Sequence, residues 1–373
     1  AQAFAQVRRA ALLGEPGAGK TTTLWKLAHD ALEVALADTA APVPLLVSLG
    51  KWTEADEKLL AFLQRQLGEL GAHLGSLLES RRAMLLLDGL NEMPAGERAA
   101  KAAQVKAFLQ QHRALAAMVT CRELDYTGAL SLDLDTVSIR PLDPLRILDF
   151  VTGYLSAALQ SSEADPAVRE AAGMARGEDL FWRLAGGEDV RQAWTAWEAA
   201  GASLSLFWSA TEVPWANPGV YSHTTERMNR AWKQAVQDSR SLMRLAGNPY
   251  LLYMLTRVYH YSGDVPQNRA ALFERFVEVL LLREGLAEET DAEGAPLRLT
   301  AEGERLLEAL DGVAWAMQTR RATAATDGVD AHGDSATALE RAEAAEWLDS
   351  HLLHRAAATS LLAVGERELR FTH

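Results

Sequence analysis

A short segment near the start of the chain has the residue types that bind a phosphate. It reads Gly14-Glu15-Pro16-Gly17-Ala18-Gly19-Lys20-Thr21 and fits the pattern G-x-x-x-x-G-K-S/T. Its glycines let the backbone curl so that several N–H groups point toward one anion. Lys20 would reach the terminal phosphates of a nucleotide, and the Thr21 hydroxyl would bind Mg²⁺. We therefore expect these eight residues and Thr22 to form a nucleotide-binding loop.

The residues on either side of this loop predict the turn that it needs. Residues 9–13 are short and largely apolar, as expected of a buried parallel strand. Leu24, Leu27, Ala28 and Ala31 then recur at helical spacing. The loop therefore lies between a strand and a helix N-terminus, where the helix dipole favours a bound anion.

A second candidate site follows the apolar run at residues 83–88. This run ends in Asp88, and an acid that emerges from a buried strand near a phosphate loop is placed to hold Mg²⁺. The alternative for an isolated acid here is a helix cap. Glu92 lies four residues later and could act as the general base that activates water. Its alternative role is a solvated loop carboxylate.

The alternation of apolar runs and helical patterns over the first 140 or so residues predicts a parallel α/β sheet flanked by helices. A helix is expected near residues 55–70. The five expected strands are residues 9–13, 42–49, 83–88, 115–120 and 135–139.

Beyond residue 140 the pattern becomes helical. Asp143-Pro144 is typical of a helix start, and no strand is expected before the C-terminal end. Residues 161–240 are rich in tryptophan, which indicates either a lid or partner surface or a small aromatic core. We favour the core, because Trp194 and Trp197 have helical spacing. The tryptophans of this stretch are Trp182, Trp194, Trp197, Trp208, Trp215 and Trp232.

The last third of the chain predicts helices followed by a terminal hairpin, an order that suggests a winged helix. Helices are expected at residues 250–259, 271–282, 306–317 and 344–353, and a flexible loop at residues 323–338. The hairpin strands are residues 361–364 and 369–373, joined through Gly365-Glu366.

The composition limits the class of protein. The chain has 373 residues with 49% hydrophobic and 23% charged residues, which is typical of a globular protein of two or three domains. Its net charge of −13 disfavours nonspecific binding to nucleic acid or membranes. It has one cysteine, Cys121, and no long apolar run, so we expect a cytoplasmic protein. It starts close to the first strand and stops in a strand-like segment, so we expect part of a larger protein.

Taken in order, these motifs resemble the NACHT family of STAND NTPases, the switch ATPases of NOD-like receptors and their bacterial relatives. Gly89 matches the tiny residue that follows the family's Mg²⁺-binding aspartate, and Glu92 matches one acid of its paired acidic motif. Asn91 departs from the family, which usually has the first acid of the pair there. This departure puts the rate of hydrolysis in question, though not nucleotide binding.

The resemblance also assigns roles to three later residues. Thr120-Cys121-Arg122 is similar to the family's sensor-1 segment, which implies that Arg122 faces the γ-phosphate. Pro249 is similar to a proline that lies against adenine, although Asn248-Pro249 is also simply a good helix start. His373 is similar to the winged-helix histidine that contacts the β-phosphate of ADP in the closed state.

The resemblance implies three domains and a mechanism. Residues 1–141 would be the P-loop nucleotide-binding domain, residues 142–262 an all-α helical domain with the Trp-rich insertion, and residues 263–373 a winged-helix domain truncated at its C-terminus. ADP would hold the protein closed, and exchange for ATP would favour a homo-oligomer. Sensor and effector domains would lie outside this chain, hydrolysis would be slow, and the setting would be bacterial antiphage defence.

Three other functions remain open. The first is an AAA+-like motor that turns over steadily, and the second is a scaffold that binds nucleotide without hydrolysing it. The third, a winged-helix DNA binder, is disfavoured by the negative charge. The other histidines predict no metal site, because His351 and His354 share a helical face without further ligands.

Overall fold

The computed structural model describes most of the chain, and its described residues form two compact units. The first takes the residues up to Arg140, Glu308–Ala357 and the residues from Leu362 onward, and the second takes Pro141–Leu307 and Ala358–Leu361. The described ranges are 8–94, 96–158, 166–199, 203–209, 223–238, 241–266, 268–288, 298–326, 338–359, 361–364 and 368–371. Over these ranges, no helix has the length and apolarity to span a membrane.

The strands of the described residues form three sheets. They are β1 (Arg9–Leu13), β2 (Val43–Ser48), β3 (Ala83–Asp88), β4 (Ala116–Cys121), β5 (Asp135–Ser138), β6 (Ala287–Glu288), β7 (Arg298–Leu299), β8 (Ala338–Glu340), β9 (Leu362–Val364) and β10 (Glu368–Phe371). The first five form a parallel sheet in the order β2-β3-β4-β1-β5. This confirms the predicted parallel α/β sheet. Parallel strands place their carboxyl ends on one edge, so the segments after β1, β3 and β4 meet there.

The described helices run as follows: α1 (Lys20–Ala37), α2 (Leu59–Gln66), α3 (Leu74–Glu79), α4 (Arg98–Gln111), α5 (Pro144–Ala158), α6 (Pro166–Leu184), α7 (Glu188–Ala199), α8 (Leu204–Ser209), α9 (His223–Gln237), α10 (Leu242–Ala246), α11 (Pro249–Ser262), α12 (Arg269–Arg283), α13 (Ala301–Thr326), α14 (Arg341–Ala344) and α15 (Ser350–Ala358). The helix expected at residues 55–70 is shorter than predicted, because it is confined to α2 and a 3₁₀ turn begins at Gly68.

Both faces of the parallel sheet are covered by helices, which explains its almost uninterrupted apolar strands. Alternate residues of β1 point to opposite faces. Ala11 and Leu13 pack in the core layer that α2, α3 and α4 complete. Ala10 and Leu12 pack in a second layer with Leu24 of α1. The sheet is therefore a rigid base for the loops at its carboxyl edge.

The second unit is mostly helical, and its tryptophans build a core. Phe207 of α8 is fully buried, and its ring centroid lies within 5.0–6.2 Å of the Trp194, Trp197, Trp208 and Trp232 centroids. The Trp232 indole N–H donates to the Phe207 carbonyl oxygen at 3.2 Å. These contacts confirm the core interpretation for the described rings. Trp215 lies outside the described residues.

Several elements of the last third differ from the predictions. The expectation of no strand before the C-terminal end is wrong, because β6 and β7 pair antiparallel. Two-residue strands are too short to show an alternating pattern. Helix α13 extends beyond the predicted residues 306–317 and includes the first residues of the expected loop at 323–338. Residues 327–337 of that loop lie outside the described residues.

The single helix predicted at residues 344–353 is also wrong. Helix α14 ends at Ala344, and α15 begins at Ser350. The Asp349 carboxylate accepts a hydrogen bond from the Leu352 backbone N–H at 2.8 Å, so it caps a new helix.

The predicted terminal hairpin is confirmed as an antiparallel pairing of β9 with β10. Leu369 opposes Val364 on one side, and on the other side it opposes Leu339 of β8, a third strand that the sequence did not predict. Gly365-Glu366 lies outside the described residues. The winged-helix assignment and the three domain boundaries stay predictions.

Candidate functional site

The phosphate-type loop joins β1 to α1, as the sequence predicts. Gly17 and Gly19 have φ angles of 75° and 90°, a backbone region that strongly favours glycine. A Cβ atom on Gly14 would lie 3.3 Å from the Ala18 Cβ, so the loop is also tightly closed. In the ranges that the structure describes, no side chain caps α1 at Gly19. The exposed Thr21 and Thr22 follow in its first turn, and the backbone N–H groups there are available to an anion.

Lys20 lies half-buried at this loop. Its Nζ donates to the carbonyl oxygens of Gly14 at 2.9 Å and Glu15 at 3.0 Å, which holds the ammonium over the loop. Burial lowers the pKa of Lys20 and the positive charge of Arg122 lowers it further, whereas the Glu92 and Asp88 carboxylates raise it. The four charged groups predicted from separate motifs therefore lie within electrostatic range of one another.

Asp88 joins the two main motifs. Its Oδ2 accepts a hydrogen bond from the Thr21 hydroxyl at 2.8 Å, across 67 positions of sequence. Its Oδ1 accepts from the Thr120 hydroxyl at 2.6 Å, and that hydroxyl in turn accepts from the Gly89 N–H at 2.7 Å. Asp88 is thus fixed by β4 on one side and α1 on the other.

Glu92 follows in a 3₁₀ turn, Leu90–Glu92, and its side chain lies against two glycines. A Cβ on Gly89 would lie 2.6 Å from Glu92 Oε2, and Gly89 also has a positive φ of 78°. A Cβ on Gly50, in the turn after β2, would lie 3.5 Å from the same oxygen. The exposed Glu92 carboxylate is therefore placed beside the end of β3 by positions that have no side chain.

Asn91, the departure from the resemblance, is buried with 1% of its surface exposed. Its Oδ1 accepts a hydrogen bond from the Arg122 backbone N–H at 3.2 Å. It therefore links the turn after β3 to the end of β4, where Arg122 is half-buried.

Burial raises the pKa of the neighbouring Cys121 thiol to about 12, and Asp125 adds to the shift. Cys121 is a neutral packing residue at neutral pH.

Three positions at the site had no role assigned to them from the sequence. Thr120 supports Asp88, Gly50 borders Glu92, and Arg370 of β10 donates through Nη1 to the Glu92 carbonyl oxygen at 3.3 Å. For Thr120 a signal existed, because a hydroxyl beside a strand end often supports a neighbouring carboxylate. The other two depend on contacts that no local pattern encodes.

Two predicted contacts stay predictions. Asn248 caps α11 through its Oδ1, which accepts from the backbone N–H groups of Tyr250 and Leu251 at 3.0 and 3.3 Å. This agrees with the simple helix-start role of Asn248-Pro249, and the contact of Pro249 with adenine is untested. His373 lies outside the described residues.

The oxygen ligands at the strand edge fit a Mg²⁺ ion. Mg²⁺ prefers hard oxygen ligands and in nucleotide sites takes one or two from the protein. Thr21 Oγ1 and Asp88 Oδ2 are 2.8 Å apart, the spacing of two ligands on one ion. Among the described residues, no atom lies within 4 Å of a Cβ at Gly19, so there is open space beside this part of the loop. Thr21 and Asp88 therefore both fit the predicted role of Mg²⁺ ligands, and that role stays a prediction.

A second group of potential metal ligands lies on the surface of α1. His29, Asp30 and Glu33 offer ligand atoms within 4.8 Å of one another. His29 is one of the other histidines, for which the sequence predicted no metal site. Asp30 is already paired with Lys26, and all three side chains lie on a solvated helix face.

One comparison with known proteins identifies the domain that contains this site. Residues 8–157 match a protein-family model described as NACHT domain. The matched stretch runs from β1 to α5 and includes the site residues from Gly14 to Arg122. It confirms the predicted resemblance for this part of the chain. No curated protein matches the chain.

Proposed function

We propose that this chain, whose residues 8–157 match the NACHT domain model, is an ATP/ADP switch with slow, Mg²⁺-dependent ATP hydrolysis. A NACHT domain is a P-loop NTPase domain, which implies nucleotide binding. The observation that carries the proposal is the 2.8 Å hydrogen bond between the Thr21 hydroxyl and the Asp88 carboxylate. This bond joins the phosphate-binding loop to the aspartate at the end of β3, and a nucleotide–metal complex needs both.

The residues of the site divide the work of phosphoryl transfer. The loop N–H groups and Lys20 bind and orient the phosphates, and Arg122 stabilises charge that develops on the γ-phosphate. Glu92 orients the attacking water and accepts its proton, because its carboxylate lies beside the end of β3 and within electrostatic range of Lys20. Asp88 is assigned to the metal, because the Thr21 and Thr120 hydroxyl groups hold its two oxygens at the strand edge. When bound by Thr21 and Asp88, Mg²⁺ neutralises phosphate charge.

We propose in addition that the bound nucleotide regulates the protein. ADP would stabilise a closed state through His373 and Pro249, and ATP exchange would favour a homo-oligomer that signals through domains outside this chain. The Arg370–Glu92 hydrogen bond supports it, because it lies next to the segment that ends in His373. A nucleotide shifts such an equilibrium only by its differential affinity for the two states. We propose the cytoplasm of a bacterium and antiphage defence as the setting.

A scaffold that binds nucleotide without hydrolysis is the second candidate, and Asn91 is the observation that favours it. A neutral, buried amide stands where the family usually has an acid, and its Oδ1 is engaged by the backbone of Arg122. Single-turnover hydrolysis separates the two functions, because a scaffold leaves ATP intact. An AAA+-like motor would turn over at about one per second or faster.

The division of labour between Asp88 and Glu92 tests the proposal. Asp88→Asn should weaken ATP binding in the presence of Mg²⁺ and have little effect in EDTA. Glu92→Gln should keep Mg²⁺–ATP binding and slow single-turnover hydrolysis by about 10²–10⁴-fold. Glu123→Gln, an exposed carboxylate next to Arg122, is the matched control. The assignment would be contradicted if the Asp88 and Glu92 variants changed ATP binding equally and left hydrolysis of bound ATP unaffected. Separately, identifying the nucleotide that co-purifies with the protein shows which nucleobase it binds.

A further inference from the structure

Lys101 of α4 is a buried lysine that the nucleotide site does not use. Only 1% of its surface is exposed. Its Nζ donates to the Trp52 carbonyl oxygen at 2.6 Å and pairs with the Glu97 carboxylate at 2.6 Å. It also lies 5.2 Å from the centroid of the Trp52 ring. A buried ammonium is costly unless such partners compensate it, so its position is tightly specified.

Trp52, which Lys101 holds in place, is in turn bonded to the 3₁₀ turn that follows β2. Its side chain is fully buried, stacks on Phe62 with ring centroids 5.2 Å apart, and donates through Nε1 to the Glu57 carbonyl oxygen at 3.2 Å. Its backbone N–H donates to the Leu49 carbonyl oxygen at 3.0 Å and closes the 3₁₀ turn Leu49–Lys51. The turn is therefore anchored at its C-terminal end by Trp52 and Lys101.

The same turn forms one wall around the Glu92 side chain. Gly50 lies in its middle, and a Cβ there would be 3.4 Å from the Glu92 Cβ and 3.5 Å from Oε2. Gly89 also lies against this side chain, because a Cβ there would be 2.6 Å from the same oxygen. Two residues, Trp52 and Gly50, thus connect the Lys101 ammonium to the proposed base.

We propose that Lys101 is a positioning residue for hydrolysis, which holds the turn of Gly50 against Glu92 so that the carboxylate faces the attacking water. The proposal rests on the function proposed above, because it takes Glu92 as the base. Lys101 touches neither substrate nor metal ligand in the described contacts. It should therefore affect the chemical step and leave nucleotide binding unchanged.

The test compares two lysines of the same helix in the 373-residue chain. Lys101→Met keeps the length and apolar stem of the side chain and removes the ammonium. Lys106→Met is the matched control, because Lys106 also binds a backbone oxygen, that of Ser131 at 3.3 Å, and a carboxylate, that of Asp133 at 2.7 Å. We expect Lys101→Met to slow single-turnover ATP hydrolysis by about 10- to 100-fold. ATP affinity should stay within about twofold of that of Lys106→Met.

A double-mutant cycle shows whether Lys101 acts through Glu92. In a Glu92→Gln background, Lys101→Met should cause no further loss, because the group it positions is already gone. An equal additional loss in that background would overturn the proposal, as would hydrolysis by Lys101→Met at the control rate. If Glu92→Gln itself hydrolyses at the wild-type rate, the base assignment and this proposal both fail. If only the Lys101 prediction fails, the proposed function stands.

Gly50→Val keeps the proposal testable if Lys101→Met does not fold. Its added methyl groups would displace the Glu92 carboxylate without touching Lys101. The matched control is Gly75→Val, because within the described part of the chain no atom lies within 4 Å of a Cβ at Gly75. Hydrolysis should fall about tenfold or more for Gly50→Val with ATP affinity retained. Equal hydrolysis rates for the two variants would overturn the proposal.

Discussion

At the scale of single residues, Asp88 shows how a metal ligand is prepared by its neighbours. Two hydroxyl groups donate to its two oxygens, from Thr21 at 2.8 Å and from Thr120 at 2.6 Å. Thr120 is buried and also accepts from the Gly89 N–H. These hydrogen bonds therefore fix the Asp88 carboxylate in one orientation, with Thr21 beside it. Less free energy is then needed to order this carboxylate when a metal ion binds.

Thr120→Val tests this support. Valine keeps the shape of threonine and removes the hydroxyl, so Asp88 loses one donor and the Gly89 N–H loses its acceptor. We expect the Mg²⁺-dependent part of ATP affinity to fall by about 10- to 100-fold and the free energy of unfolding by about 1–3 kcal/mol. Titrating Mg²⁺ at fixed ATP measures the first effect, and urea unfolding measures the second.

Thr256→Val is the matched control for that variant. Thr256 is equally buried, and its hydroxyl donates to the Leu252 carbonyl oxygen within α11. This control should leave the Mg²⁺ titration unchanged. A Mg²⁺ dependence of Thr120→Val that matches the control would show that Thr120 only fills space.

Cys121 predicts a loss of stability in alkali. Burial raises its pKa to about 12. A cysteine thiol in an unfolded chain has a pKa of about 8.5. Above that pH the unfolded state binds fewer protons than the folded state, so the free energy of unfolding falls as pH rises. The slope is at most about 1.4 kcal/mol per pH unit and extends to about pH 12. Cys121→Ala should lack this component.

Urea unfolding of wild type and Cys121→Ala at several values between pH 7.5 and about 10 measures the difference. The two curves of stability against pH should run parallel at neutral pH and converge or cross in alkali. Parallel curves throughout would contradict the effect of burial on the thiol.

At the scale of elements, the strand-to-helix turns were predictable and the close helix contacts were not. Apolar strands next to Gly14–Thr21 and Asp88 predicted both the elements and their meeting edge, because parallel strands align their carboxyl ends. The pairing of Glu92 with Gly50 and of Lys101 with Trp52 was not predictable. Each joins residues more than 40 positions apart, and neither has a local sequence signal.

Helices α5 and α6 give an example of such a close contact. Gly177 of α6 faces the backbone of α5, and a Cβ there would lie 2.5 Å from the Thr152 Cα. Gly173, one turn earlier, faces the Ser156 backbone. Glycines at i and i+4 usually weaken an isolated helix. Here they allow the two helix backbones to approach, and only the structure shows this reason for their presence.

We predict that Gly177→Ala lowers the free energy of unfolding by about 1–3 kcal/mol, because the added methyl group forces α5 and α6 apart. Gly153→Ala is the matched control on α5, because no atom of the described residues lies within 4 Å of the new Cβ. It should instead raise stability by about 0.5–1 kcal/mol, since alanine favours the helix. Chemical unfolding followed by tryptophan fluorescence measures both. Equal effects of the two substitutions would contradict the close packing.

At the scale of the whole molecule, the proposed switch depends on the C-terminal segment. His373 would donate an N–H to the ADP β-phosphate, a charge-assisted bond of about 1.5–3 kcal/mol that forms only in the closed state. His373→Ala should therefore release ADP about tenfold faster or more and raise the oligomeric fraction, with ATP affinity little changed. ADP dissociation rates and mass distributions measure these effects. An unchanged ADP dissociation rate would remove the support for an ADP-locked state.

The central claim is that Gly14–Thr21 binds a nucleotide, and Lys20→Ala tests it most directly. Lys20 contacts loop carbonyl oxygens and is not part of either apolar layer of the sheet, so the variant should fold. Calorimetric titration with Mg²⁺–ATP and Mg²⁺–ADP should show roughly one site per wild-type chain and no measurable binding to the variant, with equal circular dichroism spectra. Binding of ATP to folded Lys20→Ala with wild-type affinity would contradict the account.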